Sequence, residues 1–284
     1  MKKNIVPLVI IAIIMTSTSC STQPKNKGDI FTLRNHAEAG LEQGNREAGR
    51  GNSETALRII TESKRNAILT DDTSLIIRCC LSRGNILFDM KRTEEAFSEW
   101  QMALDEAQRS NNSELLAVSN VFYARGMLLS GRDTAQNVLD EINRRQAFIK
   151  TDRLSMAFCW QVKGLAFRAL GRYSDAENAF KQSLEIHEKN MYLENASFDW
   201  YNIASIRSVA ENFDGALQAL QSSIAIDRRI ENSWGLAASY RAMGDIYRRK
   251  GDNQPAQEAY ARAIRIYEAL GNAEEAAETR RRMN

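Results

Sequence analysis

The side chains best suited to metal binding or nucleophilic chemistry in this 284-residue chain are two histidines, His36 and His187, and four cysteines, Cys20, Cys79, Cys80 and Cys159. Each histidine is isolated, so a site needing three or four such ligands lacks material, and a Ser or Cys nucleophile lacks a neighbouring base. Both histidines read as surface or helix-end residues. The glycines never form the GxxxxGK of a phosphate-binding loop. With 36 Asp plus Glu the fold could bring two carboxylates together, but acids in such abundance usually form solvated helix faces. The expectation is a protein without catalytic site, metal or cofactor. A formal charge of +2 gives no reason to expect a nucleic-acid partner.

If chemistry is absent, function rests on the elements themselves. Prolines stand only at Pro7, Pro24 and Pro255, which leaves a long stretch free of helix breakers and predicts an all-α chain. Trp160, Gly164, Phe167 and Gly171 reappear eighty residues later as Tyr240, Gly244, Tyr247 and Gly251, and a period of forty also fits. Repeats starting near 37, 77, 117, 157, 197 and 237 place Gly44, Gly84, Ala124, Gly164, Ala204 and Gly244 at the eighth position. The twentieth position holds Ala56, Ala96, Gln136, Ala176, Ala216 and Ala256. Four residues on come Ile60, Trp100, Asp140, Phe180, Leu220 and Tyr260. The third repeat fails at both places. A shift of one residue, to Ala135 and Leu139, restores the pattern, so a single loop deletion is expected there.

Two antiparallel helices per repeat account for the spacing, the small residue of the first helix letting the alanine of the second approach. Large apolar residues such as Trp160, Phe167, Phe180 and Leu184 then fill the layers between repeats. Gly51, Gly131, Gly171 and Gly251 mark helix stops, and Ser53, Thr93, Asp133, Ser174, Asp214 and Asn253 are competent caps. Pro255 falls in a first helical turn, where proline is tolerated. Cys79 and Cys159 share one position two repeats apart, about 20 Å at ordinary helix spacing, too far to bridge. Buried free thiols are expected.

On these residues the chain, from 37 to 276, resembles the tetratricopeptide repeat family, most closely in the repeats starting at Ala157, Ser197 and Ala237. The resemblance implies a right-handed α-α superhelix of about six helix-turn-helix repeats over residues 31–284. Gln108, Glu188, Arg228 and Glu268 replace the family's helix-ending proline, which with the forty-residue period implies longer helices, as in kinesin light chains and some bacterial regulators. Gly40 and Glu47 suit a terminal repeat with one face in water, and residues 274–284 read as a solvated capping helix.

Ahead of the repeats, Lys2 and Lys3 precede an apolar run from Ile5 to Met15 and then Thr16-Ser17-Thr18-Ser19-Cys20. Eleven helical residues rise about 16 Å against a bilayer core of about 30 Å, so residues 1–19 read as a secretory signal rather than a span. The ending resembles the bacterial lipobox, with Ser17 where Leu is usual, and implies cleavage before Cys20 and diacylation of its thiol. An ordinary secretory signal with an incidental cysteine remains open. Residues 20–30 are polar and aperiodic, a flexible tether. Ser21 after the cysteine resembles sorting to the outer membrane, facing the periplasm.

In this family the first helices line a concave groove. Carried over residue by residue, the lining is Arg78 and Asn85, then Phe122 and Arg125, then Phe158, Gln161 and Arg168. Phe198, Tyr201 and Asn202 follow, and then Arg241, Asp245, Arg248 and Arg249. Amides suit a peptide main chain, arginines suit carboxylates, and aromatics anchor. The expectation is a membrane-anchored scaffold binding a protein or extended peptide in a groove about 60 Å long, at about 10 Å per repeat, and helping to organise an envelope complex. The alternative reading for each aromatic is a core residue. A ligand-holding accessory protein of an envelope transporter is the alternative function, and an enzyme would need a buried carboxylate pair.

Overall fold

The computed structural model describes residues 33–284, so the signal, Cys20 and the tether lie outside the described residues. Thirteen helices and no strand occur among the described residues. In chain order they are α1 (Leu33–Gly49), α2 (Ser53–Leu69), α3 (Thr73–Asp89), α4 (Thr93–Arg109), α5 (Ser113–Leu129), α6 (Ala135–Gln146) and α7 (Arg153–Ala169). Then follow α8 (Tyr173–Lys189), α9 (Leu193–Val209), α10 (Phe213–Arg229), α11 (Ser233–Lys250), α12 (Asn253–Ala269) and α13 (Ala273–Met283). Most are 17 residues long with three-residue connections, and this is the physical content of the forty-residue period. Gln108, Glu188, Arg228 and Glu268 are helical, each the last residue but one of its helix.

Most connections close in the same way. The middle residue adopts positive φ and the N–H of the next returns to the carbonyl five residues back, as in Asp72 to Ala67 and Tyr192 to His187, at 3.0 and 2.9 Å. Glycine fills this place at 51, 131, 171, 251 and 271, but Asp71, Lys91, Asn111, Met191, Glu211 and Glu231 also adopt it. The stop signal is therefore geometric rather than compositional. The expected caps need correction: Ser53, Thr93 and Asn253 are already the first helical residues, and Ser174 and Asp214 the second. Side-chain caps come instead from Asp72, Asn112, Thr134, Asp152, Asn212, Asn232 and Asn272.

Small eighth positions exist for the large residue of the second helix more than for its alanine. A Cβ on Gly44, Gly84, Gly164 or Gly244 would overlap Ile60, Trp100, Phe180 or Tyr260. Trp100 is wholly buried, gripped by Gly84 on one side and Gly126 of the next repeat on the other, with Phe97 edge-on at 5.3 Å. Burying such a ring contributes roughly 3 kcal/mol. The free thiols of Cys79, Cys80 and Cys159 are buried in this core.

The third repeat departs from expectation in the opposite sense. Its connection is two residues longer, α6 five residues shorter and the next connection three longer, so the phase of the fourth repeat is kept. Val138 and Ile142 take the alanine and large-residue places, at 1% and 0% exposed. Glu114 replaces the missing turns. Its Oε1 accepts from the N–H groups of Lys150, Thr151 and Asp152 at 2.8, 2.8 and 3.1 Å, and its Oε2 from Thr151 Oγ1 at 2.8 Å. These donors hold the carboxyl down at about 2.

His187 is the larger surprise. It is fully buried, its Nδ1 donating to Asp199 Oδ2 at 2.7 Å, while Gln161 Nε2 donates to Asp199 Oδ1 at 2.8 Å and Ser183 Oγ lies 3.3 Å from the same imidazole nitrogen. The cluster joins the fourth repeat to the fifth. Burial pushes the Asp199 carboxyl up, and His187 opposes that push. His36 is exposed, as expected.

Two outcomes follow from these polar ties. Glu114 has a depressed pKa in the folded chain, so its contribution is present above the ordinary carboxylate range and is lost as pH falls toward about 2. Glu114→Gln should cost about 1–2 kcal/mol at pH 7, and chemical denaturation should show the difference from wild type closing in acid. Removing His187 leaves the Asp199 carboxylate buried without its imidazole, so His187→Ala should cost about 3 kcal/mol at neutral pH. Because the Asp199 pKa is raised, the loss should grow as pH rises through it and shrink below it, and melting curves at pH 4.5 and 8 give that comparison.

Candidate functional site

Along the solenoid, first helices approach the first helix of the next repeat, α1 to α3, α3 to α5, α5 to α7, α9 to α11 and α11 to α13, whereas second helices make no comparable approach. The first helices are therefore the inner layer, and the surface curves around them. The inner face carries a chain of contacts between successive repeats, each joining a residue of one first helix to one lying one to two turns earlier in the next. Phe122 and Phe158 stack with centroids 4.2 Å apart. Arg168 Nη1 donates to Asn202 Oδ1 at 3.3 Å, and Asn202 Nδ2 donates to the carbonyl of Phe198 at 2.9 Å. Arg241 is paired with Glu275 and lies over the Tyr267 ring at 5.5 Å, with Tyr201 close enough to act on its charge.

The sequence-predicted lining separates into three groups. Arg78 and Phe198 are exposed. Phe122, Phe158, Tyr201 and Arg168 are half-buried, and the two phenylalanines also pack onto the core of the first repeats. Others are committed to the fold. Gln161 is 4% exposed and held by Asp199. Asp245 accepts from Tyr260 Oη at 2.7 Å and Arg282 at 2.9 Å, and Arg248 donates to the carbonyl of Arg282 at 2.7 Å. With Arg241, these residues dock the capping helix α13. Arg249 leaves the inner face, donating to Ser208 Oγ at 2.8 Å and covering Phe213.

Asn85 and Arg125 differ from all of these. They occupy the same position in the second and third repeats, and Asn85 Oδ1 and Arg125 Nη1 are buried without a hydrogen-bond partner. Burial presses down the guanidinium pKa, and Asp89 opposes it from the end of α3. Asp89 and Glu275 are inner-face groups that the reading of the sequence passed over, and Tyr267, wholly buried on the second helix α12, packs against Arg241. Asp89 sits at the thirteenth position, one of those carried over from the family, so the register itself could have pointed to it.

The groove also closes. Arg50 Nη2 lies 3.4 Å from Glu231 Oε2 and Lys91 Nζ 2.6 Å from Glu274 Oε1, joining the ends of the first repeats to the starts of the last. Gly49 faces Glu194, and Gly51 faces Leu270. The expected open run of about 60 Å is thus bent round until its ends meet. A buried carboxylate in the right neighbourhood for chemistry, Asp227, is 1% exposed and tied to Asn232 at 2.9 Å, inside the packing. Among the described residues no group of three His, Cys, Asp or Glu could hold a metal ion, and no helix is long and apolar enough to cross a membrane.

Family models of the tetratricopeptide repeat match residues 197–269 and 163–190. No curated protein matches the chain. Among solved structures, PlcR of Bacillus thuringiensis in complex with the peptide PapR7 and DNA superposes with a TM-score of 0.65 at 15% identity, covering 72% of this chain and 73% of that one. A Rap protein complexed with competence and sporulation factor gives 0.60 at 14%, covering 90% and 76%. A putative kinesin light chain of Podosopora anserina with nearly identical TPR-like repeats gives 0.51 at 18%, covering 69% and 97%. At such identities the likeness is one of fold. Residues 163–190 and 197–269 are tetratricopeptide repeats, and the described chain is an all-α solenoid of the kind those repeats build.

Proposed function

We propose that this protein is a binding scaffold without catalytic activity, whose inner face takes an extended peptide or a segment of a partner protein. The observation that carries the reading is the pair of unmet polar atoms, Asn85 Oδ1 and Arg125 Nη1, at one position of adjacent repeats. A buried polar atom left unpaired costs roughly 1–3 kcal/mol, a cost that a ligand supplying the missing partner removes. A peptide main chain supplies both an acceptor and a donor, and repeats at regular spacing meet it at successive residues. Asp89 already faces the Arg125 charge, so the recognised group here is a neutral amide rather than a terminal carboxylate. The Phe122–Phe158 stack beside it offers an apolar seat for a side chain. That PlcR is solved with a peptide supports the choice of ligand.

The leading residues place this scaffold, in our reading, at the bacterial cell envelope. Cleavage before Cys20 and lipidation of its thiol would tether the solenoid through residues 20–30, at the outer membrane facing the periplasm, where it would help assemble or organise an envelope complex. Two or more acyl chains on one residue suffice for stable attachment.

Panning a library of random 12-residue peptides against the purified chain tests the binding. Peptides enriched on wild type should bind Asn85→Ala or Arg125→Met at least tenfold more weakly, while melting temperature stays level or rises, because each substitution removes an unmet buried polar atom. Equal binding to the variants, or no enrichment, rejects the reading. For the anchor, growth with an alkyne-tagged fatty acid should label the wild-type chain and leave Cys20→Ser unlabelled.

A further inference from the structure

We propose that the contact between the first and last repeats is a salt-bridged gate over the inner face, which must part for a ligand to enter. This rests on the reading of that face as the binding site. The charges are arranged for such a contact. Arg50 and Lys91 follow the C-terminal ends of α1 and α3, and Glu231 and Glu274 stand at the N-terminal ends of α11 and α13. Glu274, in the first turn of α13, complements the dipole of that helix, and each sign attracts the opposite edge. The closure is nonetheless built to be weak. The side chains of Lys91 and Glu274 are 71% and 74% exposed and those of Arg50 and Glu231 45% and 77%, so water and salt screen both pairs.

Packing at the contact is incomplete as well. A cavity of about 280 Å³ lies in the seam, lined on one side by Gly51, Met90 and Lys91 and on the other by Trp234, Asn272 and Glu274. A permanent interface would fill such a space with side chains. Asp89 belongs to both places, since it lines this cavity and is also the acid that acts on Arg125. Opening the seam therefore changes the surroundings of the group that balances the Arg125 charge. Glu194, facing Gly49 across the gap, lies one helical turn from Phe198, so the seam borders that part of the inner face, where Phe198 is open to water at 38% but a bulky reagent has to pass the closed edge.

Access to Phe198 measures the gate without any knowledge of the ligand. In a full chain carrying Cys20→Ser and Phe198→Cys, the native thiols are buried and pushed up to about 12, 11 and 12 at Cys79, Cys80 and Cys159, so they stay silent toward a maleimide. A maleimide bearing a polyethylene glycol chain should react at position 198 about two- to fivefold faster when Lys91→Glu or Glu274→Lys is added, the range set by one exposed ion pair. The exchanged pair, Lys91→Glu with Glu274→Lys, should return the rate to that of the parent. The radius of gyration from solution scattering should rise in the single reversals, and in wild type between low and high salt. A labelling rate indifferent to both reversals, or reversals that speed labelling with no recovery in the exchanged pair, overturns the gate. Because neither readout uses a peptide, failure of the gate and failure of the peptide reading are separate results.

Discussion

The constraint on which the structure depends is the fit of one large apolar side chain of each second helix against a residue of the first helix that has almost no side chain. Ile60 against Gly44, Trp100 against Gly84, Phe180 against Gly164 and Tyr260 against Gly244 are four instances of one contact. It brings the helices of a pair close, and it leaves each pair with an uncovered apolar edge that only the next repeat can bury. Helix lengths follow, since a pair of equal helices with equal connections is what keeps that contact in phase from repeat to repeat. Where α6 is cut short, Ile142 is still wholly buried, and the lost turns are replaced by hydrogen bonds to Glu114.

Polar groups inside this stack are placed for register. The third position of the repeat is buried from the second repeat to the sixth, as Cys79, Ser119, Cys159, Asp199 and Ser239. In the first repeats it packs as an apolar or small residue. In the later ones it is the centre of a network, Asp199 with His187 and Gln161, and Ser239 with Ser223 at 3.0 Å and on to Ser197 at 2.9 Å. A buried charge with one set of partners penalises any misaligned stacking more than an apolar contact does. The tetratricopeptide matches fall on these later repeats, from residue 163 to 269.

Curvature turns this one-dimensional stack into a surface with an inside. Because first helices approach one another more closely than second helices, their outward residues converge, and side chains from neighbouring repeats reach each other: Phe122 to Phe158, Arg168 to Asn202, Arg241 to Glu275. Most of that inner layer is satisfied by the protein itself. Buried polar atoms without a partner also occur on second helices, at Trp100 Nε1, His187 Nε2 and Tyr267 Oη, but on the first helices among the described residues they are those of Asn85 and Arg125, which is why a ligand reading concentrates on these two rather than on the whole row.

The sequence by itself determined the helix pairs, their forty-residue period and the small-against-large contact, because each depends on residue spacing within about one repeat. It also carried the buried thiols and the capping role of the last helix. Tertiary structure decided what spacing cannot express. Whether His187 is at a surface depends on Asp199, a residue of the next repeat, and whether Gln161 and Asp245 are available to a ligand depends on Asp199 and Arg282. The length compensation around α6 preserved the period while moving the buried residues by two, so the pattern looked like a single deletion. Closure of the groove through Arg50 with Glu231 and Lys91 with Glu274 joins residues more than 180 apart, and it arises from small rotations between repeats that accumulate along the stack, a sum no local pattern records.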